Sequence, residues 1–581
     1  MESYSDLVPF QSEIGNYPIK VTALGGLDEM GKNCYVIEVN EDAFIIEAGL
    51  KYPSANIPGV DIIIPDFDYI KNISHRVKAI IITHGHDDQY GALPFLLSNC
   101  RCPVYATDTT IQIISEQYEK SYKRFKEIDF IPVQPSETLV IAGHVFELFQ
   151  TTHSITESFG FALRTKFGNI VYTSDFITDY SPMNGYKFDL PKVARLSEVE
   201  KTFLLMTESE AADKEGIASP NHKITEKIRD RIEEPTGKTF ISIYSQNLYN
   251  IQEVINLAKK FKKKLVIANT DQIPLIERLK KINSLQIPDD MIIPSINLRI
   301  TANKDVIILV SGSGEKLFSL IKEICYGNVP NLKVETNDTW IDCAPSVPGT
   351  EVAYTDAADT VFRTDCHVLT LNRKETPSMH AHKEDLKMMI SLFRPRYYFP
   401  VKGDFRLLMA NAKLAIDLGV GLNHMNTFVY DNGMALAFDD NGRVVRKNIV
   451  VKNGDVLVDN NSVGDVKEST IEERQKMADG GVVLVGITVS SKKKEIISTP
   501  DIQMKGFMYL TDSEPIITQI TSILTSNVNA ALESEKAMNT EEIGKKCSDK
   551  IYKFIAKNTG KEPLVLVQVL DIDRLEVLDP R

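Results

Sequence analysis

The run Thr83-His84-Gly85-His86-Asp87-Asp88-Gln89-Tyr90-Gly91 limits what this chain can become more than any other stretch. It follows an apolar segment, Val77 to Ile82, that reads as a buried strand, and it precedes Ala92 to Leu97, which reads as the start of a helix. His-x-His puts two imidazoles on one side of a strand end, because alternate side chains of a strand point the same way. Neutral imidazole and carboxylate are the ligands that zinc and manganese take. The alternative reading is a polar turn whose histidines only face solvent.

A chain of 581 residues is too long for one core and is read as about three domains. Its apolar and charged fractions, 43% and 25%, are those of a globular protein. No apolar run reaches about eighteen residues, and the first residues lack a basic-then-apolar signal pattern, so no membrane is expected. The 7 cysteines are scattered without a Cys-x-x-Cys pair, and Cys100-Arg101-Cys102 reads as packing. This usage fits a reducing, cytoplasmic location. A net charge of −13 opposes capture of nucleic acid by the chain's overall field, since phosphate neutralisation drives such binding. A local basic channel would still serve, and a role inside a complex is favoured over solo capture.

Taken in order, residues 1–18 lack periodicity and read as a loose arm. Strands are expected at Ile19 to Leu24, Cys34 to Val39 and Ala43 to Ile46, with Glu41-Asp42 turning between the last two. Lys120 to Lys126 is basic and aromatic and reads as a solvated helix face. Further strands are expected at Val145 to Leu148, Asn169 to Thr173 and Phe203 to Met206. After Glu208, helices (Thr225 to Glu233, Ile251 to Lys260) alternate with strands (Thr239 to Ile243, Leu265 to Ala268, Val306 to Val310), the pattern of a parallel sheet. There, Ser311-Gly312-Ser313-Gly314-Glu315 offers backbone N–H groups to phosphate at a helix start, with Ser311 and Ser313 as candidate contacts. Ser245-Gln246-Asn247 is a second strand-end loop, whose Ser245, Gln246 and Asn247 are candidates to hydrogen-bond an RNA backbone. The helix Lys383 to Phe393 and the strand Tyr397 to Val401 follow. Gly, Asp and Asn are frequent at 450–466, which reads as a linker with short β structure. The strand Gly481 to Val489, two helices (Pro515 to Leu532, Glu541 to Ala556) and the strand Leu564 to Val569 close the chain.

The loop at Thr83 to Gly91 resembles the His-x-His-x-Asp-His signature of the metallo-β-lactamase superfamily, with Gln89 in place of the last histidine. The stretch Gly85 to Leu97, with Leu24-Gly25-Gly26-Leu27-Asp28-Glu29-Met30-Gly31-Lys32-Asn33, resembles the ribonuclease J family more narrowly. The resemblance spans roughly 19–571. It implies an α/β chain in which a metallo-β-lactamase αββα sandwich (19–208 and 371–449) receives an inserted parallel-sheet β-CASP domain (209–370). A small α+β C-terminal domain (467–581) would support dimers and tetramers. The family cuts RNA from the 5′ end and internally.

The resemblance also implies roles for single residues. His84, His86, His153 (in Thr151-Thr152-His153-Ser154) and Asp175 (in Thr173-Ser174-Asp175) would form a first metal site, with Asp175 shared with a second. Asp88 would serve the second site, where Gln89 and Lys402 replace histidines. Thr376-Pro377-Ser378-Met379-His380 resembles a His-x-Ser-Gly-His motif, which implies Ser378 and His380 as phosphate contacts and makes Asp88, Asp175 and His380 the candidate catalytic residues. Glu47 and Glu208 stand where relatives carry aspartate, and Thr376 replaces a histidine. A carboxylate one methylene longer is expected to keep its charge but to move its oxygens by roughly an ångström, enough to spoil positioning.

Magnitudes then bear on the second site. The family's chemistry uses two ions about 3.5 to 4 Å apart that clamp the scissile phosphate. Keeping Lys402 neutral at pH 7 costs about 4.6 kcal/mol from its reference value. Leaving it charged about 4 Å from a divalent ion costs on the order of 8 kcal/mol at an effective dielectric of about 20. Lys402 as an ammonium paired with Asp88 and Asp175 is therefore expected to replace the second ion, leaving one zinc or manganese ion or none; the alternative is a Lys402 that points to solvent. The changes at Glu47, Gln89, Glu208, Thr376 and Lys402 resemble the second, weakly active or inactive paralogue that some Gram-positive bacteria carry in this family, which assembles with its active sibling. The alternative is a working 5′-3′ exo- and endoribonuclease with a single ion.

Overall fold

The computed structural model describes residues 17–53, 57–121, 128–459, 462–463, 468–507, 514–534 and 539–574. They form two compact units. One holds the residues up to Tyr52 together with Ile63–Val456, and the other holds Pro53–Ile62 with the residues from Leu457. The expected arm at 1–18 lies almost wholly outside the described residues, as does most of the basic stretch after Lys120.

Two sheets face each other in the first unit. The first runs in the order Ile449–Val450, Met434–Phe438, Ile19–Gly25, Cys34–Val39, Asp42–Ile46, Val77–Ile81, Val104–Ala106 and Phe130–Pro132. The second runs Tyr397–Pro400, Thr202–Thr207, Gly168–Tyr172, Phe159–Thr165, His144–Gln150 and Thr138–Ile141. Strand alternation feeds two cores at once. Leu204 and Met206 face Phe44, Phe161 and Tyr172 between the sheets, whereas Leu205 faces Leu386, Met389 and Phe393 of the helix Lys383–Phe393. Because both faces of such strands are covered, they read as unbroken apolar runs, and Thr202–Thr207 is buried throughout.

The inserted parallel sheet is present, in the order Lys264–Ile267, Val306–Gly312, Thr239–Tyr244, Thr339–Asp342 and His367–Thr370. Phe240 stacks on Trp340 at its centre. In the second unit, Val482–Ser490 pairs in parallel with Leu564–Asp571 and antiparallel with Asp501–Lys505. The helices Glu514–Glu533 and Thr540–Thr559 cover one face of this small α+β sheet, burying Ile520, Leu524, Val528 and Leu532 at four-residue spacing. Among the described residues no helix is long and apolar enough to cross a membrane.

Three local expectations need correction. The turn between the second and third strands falls on Asn40-Glu41, and Asp42 is already strand. Asn40 adopts φ +55°, a left-handed conformation that asparagine tolerates because its short side chain bonds locally. The helix read at Ile251 starts at Leu248, since the Asn247 side chain caps it by accepting from Asn250 N. Ser311 and Gly312 belong to the strand Val306–Gly312, and a helix starts at Gly314.

Candidate metal centre

Topology gathers the site. Gly168–Tyr172, Thr202–Thr207 and Tyr397–Pro400 are parallel neighbours, so their C-terminal ends release Asp175, Glu208 and Lys402 on one edge. Asp42–Ile46 and Val77–Ile81 are likewise parallel and release Glu47 and His84. Crevices at the carboxyl ends of parallel strands are where α/β sheets bind ligands. Three of these strand ends turn through left-handed non-glycine residues, Glu47 (φ +61°), Ser174 (+56°) and Lys402 (+57°). Each such residue costs on the order of 1–3 kcal/mol and persists because the packing around it fixes it. Gly49 is required by close approach, since a Cβ there would lie 1.7 Å from the Asp88 carbonyl oxygen.

His84, His86, His153 and Asp175 offer ligand atoms that all lie within 4.8 Å of one another. His86 Nδ1 is 3.2 Å from both His84 Nε2 and His153 Nε2. Asp175 Oδ2 is 3.3 Å from His84 Nε2 and 3.6 Å from His153 Nε2. Ligands about 2.0–2.1 Å from a tetrahedral zinc ion are spaced about 3.3 Å apart, so these atoms fit one ion. The opposite ring nitrogens are tied down. His153 Nδ1–H donates to the Met379 carbonyl (2.8 Å), His86 Nε2 faces Ser154 Oγ (3.0 Å) and the Gln246 carbonyl (3.3 Å), and His84 Nδ1 faces Thr83 Oγ1 (3.1 Å). Such outer bonds fix the tautomers and turn the lone pairs inward. Burial, with His84 adding to it, pushes His86 down to about 3 and His153 well below its ordinary value, so both rings are neutral. Asp175 Oδ1 is buried and has no hydrogen-bond partner among the described residues.

Next to this group the site carries an organic cation. Lys402 is 2% exposed, and its ammonium is paired with Asp175 Oδ2 and lies 3.0 Å from Asp88 Oδ2 and 3.8 Å from Glu210 Oε2. Burial alone would lower Lys402, but Asp175 and Asp88 hold it well above its usual value. Conversely, burial would raise the two aspartates, and Lys402 holds both below theirs. Asn33 Nδ2 adds a bond to Asp88 Oδ2 at 3.1 Å. Gln89 is buried, and both its amide atoms lack partners among the described residues.

Asp175, Glu208 and His380 form an adjoining group. His380 Nδ1 is 2.6 Å from Glu208 Oε2 and its Nε2 is 3.2 Å from Glu210 Oε1. Burial lowers His380, yet Glu210 and Glu208 together push it up to about 10. Glu208 Oε1 accepts from the backbone N–H of Phe176 (2.8 Å) and Ala381 (3.1 Å), so this longer carboxylate pins two loops.

Glu47 departs from expectation. It does not keep its charge at neutral pH, because complete burial pushes it up to about 8. Its oxygens accept from Thr83 Oγ1 (2.5 Å) and Thr83 N (3.2 Å), which places it behind Thr83, whose hydroxyl also faces His84 Nδ1. Since the folded value lies above the ordinary 4.5, the folded chain keeps a proton that the unfolded chain releases. This contribution is full below about pH 4.5 and disappears as pH rises through about 8. Glu47→Gln is therefore expected to gain several kcal/mol relative to the wild type between pH 5 and 8.5 in urea unfolding. A gap that does not change with pH would contradict the assignment.

The remaining candidates are scattered. Ser378 is exposed beside Met379, whose carbonyl orients His153. The Thr376 hydroxyl donates to the Asn372 carbonyl. Ser311 Oγ donates to Gln272 Oε1 (2.7 Å), Ser313 is an exposed helix cap, and Asn247 is engaged with Asn250. None of these five is bonded to the histidine–carboxylate group among the described residues. Glu210 escaped the sequence reading, and Thr83, Ser154 and Gln246 were named there without the part they play in orienting the histidines. Glu210 follows Glu208 with the same alternate spacing as His86 after His84, a signal that could have found it.

Family models match as Metallo-beta-lactamase superfamily (27–215), Ribonuclease J, beta-CASP domain (236–361), Zn-dependent metallo-hydrolase RNA specificity domain (372–426) and Ribonuclease J C-terminal domain (469–572). Ribonuclease J2 of Bacillus subtilis (strain 168) is 28% identical over 555 residues, covering 95% of this chain and 99% of that protein. Ribonuclease J 2 of Staphylococcus aureus (strain MRSA252) is 29% identical over 557 residues, covering 96% and 99%. With family-specific models on both the inserted sheet and the C-terminal unit, and relatives matched over nearly their full length, this chain is similar to the ribonuclease J family across almost all of its residues.

Proposed function

We propose that this chain is a ribonuclease J-type subunit of RNA processing and decay in which an ammonium group stands in for the second metal ion, leaving hydrolysis weak or absent. One observation carries the reading, the burial of Lys402 against Asp175 and Asp88. Charge balance supports it. Glu208 and His380 neutralise each other as a pair, and Asp88, Asp175 and Glu210 exceed Lys402 by two negative charges. One divalent ion cancels that excess, and a second would leave the site as positive as it had been negative. His84, His86, His153 and Asp175 would hold the single zinc or manganese ion, which supplies Lewis-acid stabilisation of a phosphoryl oxygen. The proposed ligand is RNA, and the proposed partner is an active ribonuclease J paralogue or a second copy of this chain, joined as dimers or tetramers in the cytoplasm. The net charge of −13 favours work within such a complex over unaided RNA capture.

The alternative, a single-metal exo- and endoribonuclease, is favoured by His380, which is pushed up to about 10 and so holds a donatable proton at neutral pH. Two measurements separate the readings. Purification in excess zinc or manganese is expected to give one tightly held ion per chain, and two would refute ammonium replacement. On 5′-monophosphorylated RNA, the proposed subunit binds with little turnover. Turnover that disappears in His84→Ala would establish the single-metal enzyme instead.

A further inference from the structure

Glu210 is the acid that neither the metal ligands nor the Lys402–aspartate pairs account for. It sits on the loop after the strand Thr202–Thr207, and its side chain is 24% exposed, whereas that of Glu208 is 2% exposed. Its two oxygens are divided between two cations, with Oε1 3.2 Å from His380 Nε2 and Oε2 3.8 Å from Lys402 Nζ. The other donors of these cations are taken. His380 Nδ1 is on Glu208, and the Lys402 ammonium is on Asp175 and Asp88. Glu210 therefore covers the side of both cations that is left for an incoming anion. Two oxygens spread over two donors is also how a phosphate group binds a pair of cations.

We propose that the Glu210 carboxylate is a built-in plug of a phosphate subsite formed by His380 and Lys402, and that an oxyanion enters only by displacing it. The plug is weakly seated, because its longer contact is at 3.8 Å and the side chain reaches solvent. A phosphate group must expel Glu210 before gaining the same two contacts, so binding here is suppressed without being abolished. That the natural phosphate belongs to RNA rests on the function proposed above. The anion subsite itself does not.

The test uses the full chain prepared with zinc, compared with Glu210→Gln and Glu210→Ala, and inorganic phosphate as the probe at low ionic strength. Glu210→Gln keeps the shape of the side chain and serves if the alanine variant folds poorly. Calorimetric titration is expected to show phosphate binding about tenfold tighter in Glu210→Ala than in the wild type, with Glu210→Gln between them. The thermal midpoint of the variants is expected to rise with added phosphate more than that of the wild type. Equal phosphate affinity in all three proteins would overturn the plug. A parallel titration with a 5′-monophosphorylated oligoribonucleotide separates the two ideas. Tighter phosphate without tighter RNA supports the plug and removes RNA from this subsite. RNA binding with phosphate affinity unchanged by either variant overturns the plug and leaves the proposed function standing.

Discussion

Lys402→Met is expected to lower the unfolding free energy of the metal-free chain by about 3–5 kcal/mol, and excess zinc or manganese is expected to restore a large part of it. The reasoning starts from Asp175, which is 1% exposed, and Asp88, which shares the same ammonium. Removing one partner of a buried ion pair leaves the other charge without water and without compensation. Methionine keeps an unbranched chain of similar length and does not change the left-handed backbone demand at φ +57°, so the variant isolates the charge. A divalent ion entering between the two aspartates would supply the missing positive charge, which links stability to metal concentration. The pH dependence has a definite sign. In the wild type, Lys402 holds both carboxyls below their ordinary 3.8, so this stabilisation is present above that value and fades as pH falls through the depressed range. In the variant, acid protonates the aspartates and relieves the uncompensated charge, so the gap between the proteins closes on acidification. Urea unfolding at pH 7 and pH 4, with and without zinc, gives all of these quantities. A variant as stable as the wild type, and indifferent to metal, would mean that Asp88 and Asp175 do not depend on Lys402.

Much of the first unit was legible because its strands are apolar on both faces and end in polar loops. Thr225–Glu233 and Lys383–Phe393 were readable to the residue, since polar or proline-rich segments flank a clean helical period. What escaped was set by side chains acting at a distance. The Asn247 cap moved a helix start by three residues, and no local period announces it. The metal group was legible in part, because His84 and His86 lie two residues apart on one strand end. His153, Asp175 and Lys402 come from strand ends that only the sheet order brings together, so their place in the reading depended on family resemblance. Glu47 shows the limit most clearly. Its substitution was visible, but its loss of charge follows from complete burial, which the residue type does not reveal. Glu210 was missed because an acid on a loop ordinarily faces water, and only the convergence of His380 and Lys402 gives this one a partner.

Restoring histidine at both altered ligand positions, Gln89→His with Lys402→His, is expected to raise bound zinc from one ion per chain to two and turnover on 5′-monophosphorylated RNA by about 100-fold. Each single change is expected to do little alone. Gln89→His leaves the ammonium of Lys402 against the aspartates, and Lys402→His leaves one carboxamide where an imidazole is needed, so the gain belongs to the pair. Space and backbone both favour the exchange. Gln89 is buried with two unpartnered amide atoms, whose desolvation the native chain already bears, and an imidazole is of similar size. Histidine is also enriched among non-glycine residues in the left-handed region that residue 402 occupies. Charge sets the final expectation. With Lys402 gone, the Glu208–His380 pair stays neutral while Asp88, Asp175 and Glu210 carry three negative charges, and two divalent ions exceed them by one. The phosphate then meets an attractive site despite Glu210, and adding Glu210→Ala to the double variant should raise turnover again. Metal counting and steady-state rates on one substrate decide the matter. A double variant that binds a single ion and cuts no faster than the wild type would contradict the view that Gln89 and Lys402 are what keeps the second ion out.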